Sequence, residues 1–97
     1  MDQQSIEQEI KTSRLPVFLE FFADWCGPCH LMKPMLDELE QENPPRVKIM
    51  RVDSDHEREI AQAYGVMALP TLLVFKNGQQ VEKLVGLQRK PVLEKFL

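Results

Sequence analysis

The sequence predicts an α/β fold in which a mixed central sheet of about four strands is flanked by helices. Three observations lead to this prediction. The apolar run VFLEFFA at 17–23 is rich in β-forming residues and is typical of a strand buried on both faces, as in a parallel sheet. A helical pattern follows this run, and a second strand-like run follows that helix. The Asn-Gly pair at 77–78 separates two further strand-like runs and is a strong hairpin signal.

The first half of the chain is predicted to contain two helices and two strands. Ser5 and Gln8 match a capping box, which predicts a helix over about residues 5–13. After the first strand, apolar residues recur at helical spacing, namely Cys29, Met32, Leu36 and Leu39. This second helix should end before the Asn-Pro-Pro sequence at 43–45, because proline disfavours helix in the residue before it. The run RVKIMRV at 46–52 predicts the second strand.

The second half is predicted to hold a helix, the hairpin and a closing helix. Ser54 and Glu57 again match a capping box, and the helix that they open should end at Gly65. Pro91 fits the first turn of the closing helix. The two hairpin strands are predicted at 70–75 and 80–85.

Length and composition narrow the possible functions. A chain of 97 residues is long enough for one domain, expected over residues 1–97, and its 43% hydrophobic and 28% charged residues are typical of a globular protein. The net charge of −3 and the lack of a basic run argue against nucleic-acid binding. The apolar runs are too short to cross a bilayer, and the acidic start does not match a secretory signal. We therefore expect a cytoplasmic protein that binds no membrane.

Cys26 and Cys29, the only cysteines, lie where the first predicted strand meets its following helix, and three roles are possible for them. A structural disulfide is disfavoured, because so short a loop removes little entropy from the unfolded chain. A closed zinc site needs four ligands, and His30 and His56 lie far apart in the sequence, although a site shared by two copies stays open. A redox pair is favoured, because a CxxC motif beside a strand–helix–strand pattern is typical of thiol exchange.

The two cysteines are predicted to have unequal roles. Cys26 precedes the helix, whose unpaired N–H groups and partial positive charge stabilise a thiolate, so we expect it to be the attacking sulfur with a lowered pKa. Cys29 lies inside the first turn, where its sulfur should be less accessible, and it should resolve the mixed disulfide. Gly27 allows a tight approach at the turn, and Pro28 suits an early helical position that needs no N–H donor.

The residues WCGPC at 25–29 resemble the active site of the thioredoxin family, and the resemblance covers nearly the whole chain. The segment YGVMALPTLLVFKNG at 64–78 is similar to the second signature of that family. In this resemblance Pro34 coincides with the proline that kinks the active-site helix, and Pro70 with a cis-proline. Gly86 matches a glycine that borders the substrate groove.

The resemblance implies a thiol–disulfide oxidoreductase that reduces disulfides in protein substrates and receives its electrons from a thioredoxin reductase. It implies no cofactor and no metal, and we expect a monomer. An extended substrate segment would pair with the backbone before the cis-proline. The implied substrate surface comprises Trp25, Gly27, Pro28, Leu69, Pro70 and Gly86. The alternative is packing at strand ends for Leu69 and Gly86, and a half-buried core position for Trp25.

Glu20 interrupts the apolar first strand, where the family usually carries an aspartate that assists deprotonation of the resolving cysteine. The usual lysine partner of that aspartate is replaced by Ile49, and Arg51, which lies on the same strand face by alternation, is the alternative that could partly substitute for it. We therefore expect burial without a close cation to raise the pKa of Glu20, which would accept the proton of Cys29 through water. The alternative is a carboxylate that reaches solvent at a sheet edge.

Two further departures from the family pattern affect the prediction. The chain has no strand-like run before Pro16, so we predict that it lacks the usual N-terminal first strand, which would leave a sheet edge open to association. His30 follows the second cysteine and either makes the pair more oxidising or is a solvated helix residue.

Two functions are alternatives to a disulfide reductase. A thiol oxidase or isomerase is the first, although the Gly-Pro pair between the cysteines resembles the reducing members of the family. A binding module whose redox activity is incidental is the second.

Overall fold

In the computed structural model, which describes residues 2–97, eight elements follow one another in the predicted order. They are α1 (Gln3–Thr12), β1 (Val17–Phe22), α2 (Gly27–Glu40), β2 (Lys48–Asp53), α3 (Arg58–Ala63), β3 (Thr71–Lys76), β4 (Gln79–Val85) and α4 (Lys90–Glu94). Over these residues the longest helix is α2, and none is long and apolar enough to cross a membrane.

The four strands found in residues 2–97 form one mixed sheet in the order β2-β1-β3-β4. The central strand β1 runs parallel to β2 and antiparallel to β3, and β4 is antiparallel to β3. The described residues before β1 contain α1 and no strand. The predicted mixed sheet without an N-terminal first strand is therefore confirmed, and β2 and β4 form its edges.

The two faces of the sheet bury separate apolar clusters, because successive side chains of a strand point to opposite faces. One cluster joins the sheet to α1 and α3 and includes Ile6, Ile10, Leu19, Phe21, Ile60 and Leu73. The other joins it to α2 and α4 and includes Phe18, Met32, Leu36, Leu39, Val74 and Leu93. Helices on both faces explain why β1 reads as a continuous apolar run.

The N-terminus of α1 differs from the prediction. Asp2 is the N-cap, and its Oδ1 accepts a hydrogen bond of 2.8 Å from the N–H of Ser5. The helix therefore begins at Gln3, and the capping box of Ser5 and Gln8 is wrong. An aspartate caps a helix as well as a serine does, and the position of Asp2 allows one more half-turn of helix.

The capping box predicted for α3 is also wrong. Glu57 is at the N-cap position but makes no side-chain capping bond, and the hydroxyl of Ser54 is buried without a partner. Instead, Oδ1 of Asp53 accepts hydrogen bonds from the N–H groups of Asp55 and His56, at 3.0 and 3.4 Å. These bonds form a turn between β2 and α3 that delays the start of the helix.

The hairpin between β3 and β4 is formed as predicted. Asn77 and Gly78 have φ angles of 54° and 80°, and the left-handed region at both central positions is typical of a type I′ turn. This turn matches the twist of the two strands that it joins, so β4 returns beside β3 and ends next to the residues that precede β3.

Core packing of α2 yields a direct test. Leu36 is 1% exposed and Leu31 is 61% exposed on the same helix, so the same truncation can be compared at a buried and an exposed site. We expect Leu36→Ala to lower the free energy of unfolding by about 2–5 kcal/mol. Leu31→Ala should change it by no more than about 0.5 kcal/mol. Chemical denaturation of the oxidised protein measures both, and equal losses would contradict the packing of α2.

Candidate active site

Cys26 and Cys29 form a disulfide at the point where β1 leads into α2. Cys26 is the N-cap of α2, and its Sγ accepts a hydrogen bond of 3.2 Å from the N–H of Cys29. Pro28 lies in the first turn, where its missing N–H breaks no helical bond. The start of the helix thus directs an N–H group and its partial positive charge at the Cys26 sulfur, an arrangement that stabilises a thiolate.

The two cysteines are equally buried, which differs from the prediction. Cys26 is 3% exposed and Cys29 is 2% exposed, so neither sulfur is the accessible one in this disulfide form. Both lie in a small apolar cluster with Ala23, and Phe22 and Leu69 pack against it. The difference between the two cysteines lies in their positions relative to the helix and not in their exposure.

Gly27 is exposed between the two cysteines of the pair. A Cβ built on Gly27 would meet no atom within 4 Å, so no close approach within the chain requires glycine here. The predicted tight approach at Gly27 is therefore not seen within residues 2–97, and the place that a Cβ would occupy is open.

The residues around Pro70 lie beside the cysteine cluster. The Leu69–Pro70 peptide is cis, as the resemblance implied, and Leu69 packs against the cluster. The N–H of Gly86 donates a hydrogen bond of 2.8 Å to the carbonyl of Pro70, which brings the end of β4 to this site. Gly86 has a φ of 90°, a conformation that favours glycine.

Trp25 is 71% exposed, which excludes the alternative of a half-buried core residue. Its indole Nε1 donates a hydrogen bond of 2.9 Å to Oδ2 of Asp55. The ring borders a groove of about 410 Å³ that Leu69 and the fully exposed Met67 also line. Sequence reasoning missed Asp55, which is distant along the chain, and Met67, whose closeness to Pro70 was an available signal.

Glu20 is completely buried in β1 and lies opposite Arg51 in the parallel pairing of β1 with β2. Nε of Arg51 donates a hydrogen bond of 2.6 Å to Oε1 of Glu20, whereas Oε2 has no partner within residues 2–97. Burial raises the pKa of Glu20, and the hydrogen bond and charge of Arg51 offset part of that rise. The raised pKa agrees with the prediction, whereas the expectation that Glu20 lacks a close cation is wrong, because Arg51 takes the place of the lysine, as its position on the same strand face had suggested.

Arg51 also touches the surroundings of the disulfide. Its guanidinium lies 4.2 Å from the ring centroid of Phe22, and Phe22 packs against the cluster that contains both cysteines. Ile49, at the position of the family's lysine, instead packs with the apolar cluster under α2. In this chain the cation that binds the buried carboxyl is therefore Arg51, two residues after the lysine position of the family and on the same face of β2.

The side chain of His30 is held by the backbone that precedes Trp25. Its Nε2 lies 2.6 Å from the carbonyl oxygen of Asp24, a contact in which the ring nitrogen donates. His30 is exposed at the first turn of α2. Its influence on the redox pair stays a prediction.

Comparisons with known proteins agree with this site. The thioredoxin family model matches residues 1–97. Thioredoxin 1 of Nostoc sp. is 38% identical over 93 residues, which cover 96% of this chain and 87% of the relative. A thioredoxin of Rickettsia felis is 40% identical over 86 residues, or 89% of this chain and 82% of the relative.

Solved structures are similar over the same range. A mutant thioredoxin from Halobacterium salinarum superposes with a TM-score of 0.87 at 35% identity, covering 98% of this chain and 81% of that one. The oxidised mitochondrial thioredoxin 3 of Saccharomyces cerevisiae gives a TM-score of 0.82 at 35% identity, covering 95% and 84%.

Burial of the Glu20 carboxyl should make the free energy of unfolding depend on pH. Because its pKa is raised in the folded state, the folded protein binds more protons at Glu20 than the unfolded chain between the two pKa values. The unfolding free energy of the wild type, relative to Glu20→Gln, should therefore fall as pH rises through that window. The slope should not exceed about 1.4 kcal/mol per pH unit. Denaturation of the oxidised proteins from acidic to neutral pH measures it.

Glu42 provides a control of opposite sign. Its exposed carboxylate pairs with Arg46, and this hydrogen bond lowers its pKa. The contribution of Glu42 is present above its unfolded pKa and is lost as pH falls through the lowered folded value. The difference between wild type and Glu42→Gln should thus rise with pH. A rise for Glu20→Gln as well would contradict a raised pKa at Glu20.

Proposed function

The chain belongs to the thioredoxin family and is a thiol–disulfide oxidoreductase, and we propose that it reduces disulfides in protein substrates with Cys26 as the nucleophile and Cys29 as the resolving cysteine. The observation that carries the assignment of roles is the hydrogen bond from the N–H of Cys29 to the sulfur of Cys26 at the start of α2. A helix start that stabilises the thiolate of one cysteine makes that cysteine the better nucleophile near neutral pH.

The first step forms a mixed disulfide. In the reduced protein the thiolate of Cys26 attacks one sulfur of the substrate disulfide, so that a bond forms between Cys26 and the substrate while the substrate disulfide breaks. The other substrate sulfur leaves as a thiolate and takes a proton from water.

The second step releases the substrate. Cys29 loses its proton and attacks the sulfur of Cys26, which forms the intramolecular disulfide and expels the second substrate sulfur. Two electrons have then passed from the dithiol to the substrate, and the disulfide between Cys26 and Cys29 is the oxidised product state.

Glu20 is proposed to accept the proton of Cys29 through water. It lies on the face of the sheet that α2 covers, and α2 carries Cys29. Its pKa is raised by burial, which brings its proton affinity closer to neutral pH, where a general base works best. Its free Oε2 offers a site for the proton.

The proposed substrate surface comprises Trp25, Gly27, Pro28, Leu69, Pro70 and Gly86. The exposed indole of Trp25 and the contact of Leu69 with the cysteine cluster support this assignment. Within residues 2–97, the N–H and carbonyl of Leu69 make no hydrogen bond to other backbone groups. An extended substrate segment can therefore pair with the backbone before Pro70, as an added strand would.

Recycling of the protein requires an electron donor, and we propose a thioredoxin reductase for this role. The chain would then transport electrons from that reductase to disulfide-containing proteins. We propose that it acts in the cytoplasm, where thiols are kept reduced and a single disulfide is more often catalytic than structural. The protein is expected to act as a monomer.

Trapping the first step tests the roles of the two cysteines. The Cys29→Ser variant should accumulate a stable mixed disulfide between Cys26 and a protein with an accessible disulfide, because no thiol remains to resolve it. Mass spectrometry of the non-reduced product measures this. The Cys26→Ser variant is the matched control and should capture no substrate. Capture by Cys26→Ser alone would show that the roles are reversed.

The role of Glu20 is tested by the rate of substrate release. Release from a preformed mixed disulfide should slow by about 10²-fold near neutral pH in Glu20→Gln, the lower end of general base contributions. The two rates should converge at alkaline pH, where hydroxide deprotonates Cys29. Rapid mixing with thiol detection measures release, and Glu42→Gln is the control for a lost carboxylate. An unchanged pH profile in Glu20→Gln would refute the role.

A further inference from the structure

We propose that the groove beside the cysteine pair selects protein substrates that carry an acidic side chain close to the reacting cysteine. Arg58 binds the carboxylate of that side chain through its guanidinium, and Ser54 binds it through its hydroxyl. This inference rests on the proposed function, because it names the class of disulfide substrate that the reductase prefers. Both residues lie outside the substrate surface proposed above.

The groove of about 410 Å³ extends from the redox site to α3. Leu69 lines it and also packs against the cluster that contains Cys26 and Cys29. The ring of Trp25, the residue before Cys26, forms another part of its wall. A substrate segment that is bonded to Cys26 and pairs with the backbone before Pro70 therefore passes along this groove.

Arg58 supplies the charge that attracts an anion. It lies exposed at the start of α3, and it lines the groove. Its guanidinium takes part in none of the ion pairs found among residues 2–97, although Glu57 and Glu59 are its neighbours in sequence. A guanidinium offers five N–H donors and can bind both oxygens of one carboxylate. The donors of Arg58 are therefore available to a substrate.

Ser54 supplies a hydroxyl that the fold does not use. Ser54 lines the groove, but its Oγ is turned to the interior, where it is buried without a hydrogen-bond partner in residues 2–97. The N–H of Ser54 donates a bond of 2.8 Å to the carbonyl of Phe22, which anchors the residue at the end of β1. Because the present position of Oγ makes no bond, rotation about χ1 toward the groove breaks none. There the hydroxyl would donate to a carboxylate oxygen.

Asp55 opposes an acidic substrate and sets a limit to the preference. Among residues 2–97, Asp55 and Arg58 are the charged residues that line the groove. Oδ2 of Asp55 already accepts the bond of 2.9 Å from Nε1 of Trp25. Because the energy between two charges falls with their distance, direct contact of a carboxylate with Arg58 outweighs its more distant repulsion by Asp55. The apolar side chains of the groove, Met67 and Leu69 among them, do not distinguish charges.

The test uses homodimeric peptide disulfides in which each chain carries one cysteine and one glutamate, placed one to three residues before or after it. A twin of each peptide carries glutamine instead. For at least one placement, the reduced wild type should react about five-fold faster with the glutamate peptide, as expected for a charged hydrogen bond at an exposed site. Quenched flow with mass spectrometry of the oxidised and reduced protein measures the second-order rate constants.

Four variants identify the groups that cause the preference, which is the ratio of the two rate constants. Arg58→Met should abolish it, and Ser54→Ala should lower it by about two-fold. Arg58→Glu should invert it, so that a lysine twin reacts faster than the glutamate peptide. Asp55→Asn should increase it, because an opposing charge is lost. A merely structural role of Arg58 would change both rate constants equally and would produce no inversion.

Arg14→Met is the matched control. Arg14 is an exposed arginine that precedes β1, whereas the cysteines follow that strand, so it lies at the opposite end of β1 from the redox site. The substitution makes the same change in net charge, and the preference should equal that of the wild type. A preference that is lost in Arg14→Met as well would assign the effect to net charge and overturn the proposal.

Equal rate constants for every pair of glutamate and glutamine peptides would also overturn it, as would a preference that persists in Arg58→Met. A preference unchanged in Ser54→Ala would overturn the role of Ser54. The glutamine peptides distinguish this proposal from the function on which it rests. If they are reduced without any preference, the disulfide reductase stands and the selection of acidic substrates is wrong, whereas failure to reduce any peptide overturns the proposed function itself.

Discussion

The strand β1 is hydrogen-bonded on both sides and buried on both faces, and this double constraint fixes the position of the redox site. Residues Val17–Phe21 pair with β2 on one side and with β3 on the other. Their side chains alternate between the two apolar clusters, so a slip of one residue would exchange the faces. Because α2 begins shortly after β1 ends, the register of the strand also determines where Cys26 caps the helix.

Glu20 is a buried carboxyl in a strand whose other residues are apolar, so it is unfavourable for the packing of the core. A buried carboxylate is costly unless it is paired and hydrogen-bonded, and Glu20 has only one of its oxygens satisfied, by Arg51. An apolar residue of similar size would serve the core better. Stability therefore does not explain Glu20, and its buried, incompletely bonded carboxyl is compatible with the role of proton acceptor proposed above.

Structural features that follow from local sequence pattern could be predicted. Features that depend on which of several neighbouring side chains makes a contact could not. Periodicity predicted α2 and β1, and the turn chemistry of Asn77 and Gly78 predicted the hairpin. The helix caps were wrong because the carboxylates of Asp2 and Asp53, and not the two serines, accept hydrogen bonds from backbone N–H groups ahead of α1 and α3. Alternation placed Arg51 on the correct face, but it did not show that the guanidinium binds Glu20 and covers the ring of Phe22.

The equal burial of the two sulfurs changes how the site must work. Accessibility cannot distinguish Cys26 from Cys29, so the distinction rests on the stabilisation of the Cys26 thiolate by the helix start. A side chain at Gly27 would strain nothing within residues 2–97, because its φ is not in the left-handed region and no atom outside its chain neighbours lies within 4 Å of its Cβ. Packing of the fold therefore does not account for glycine at this position, whereas the proposed approach of a substrate sulfur to Cys26 is compatible with it.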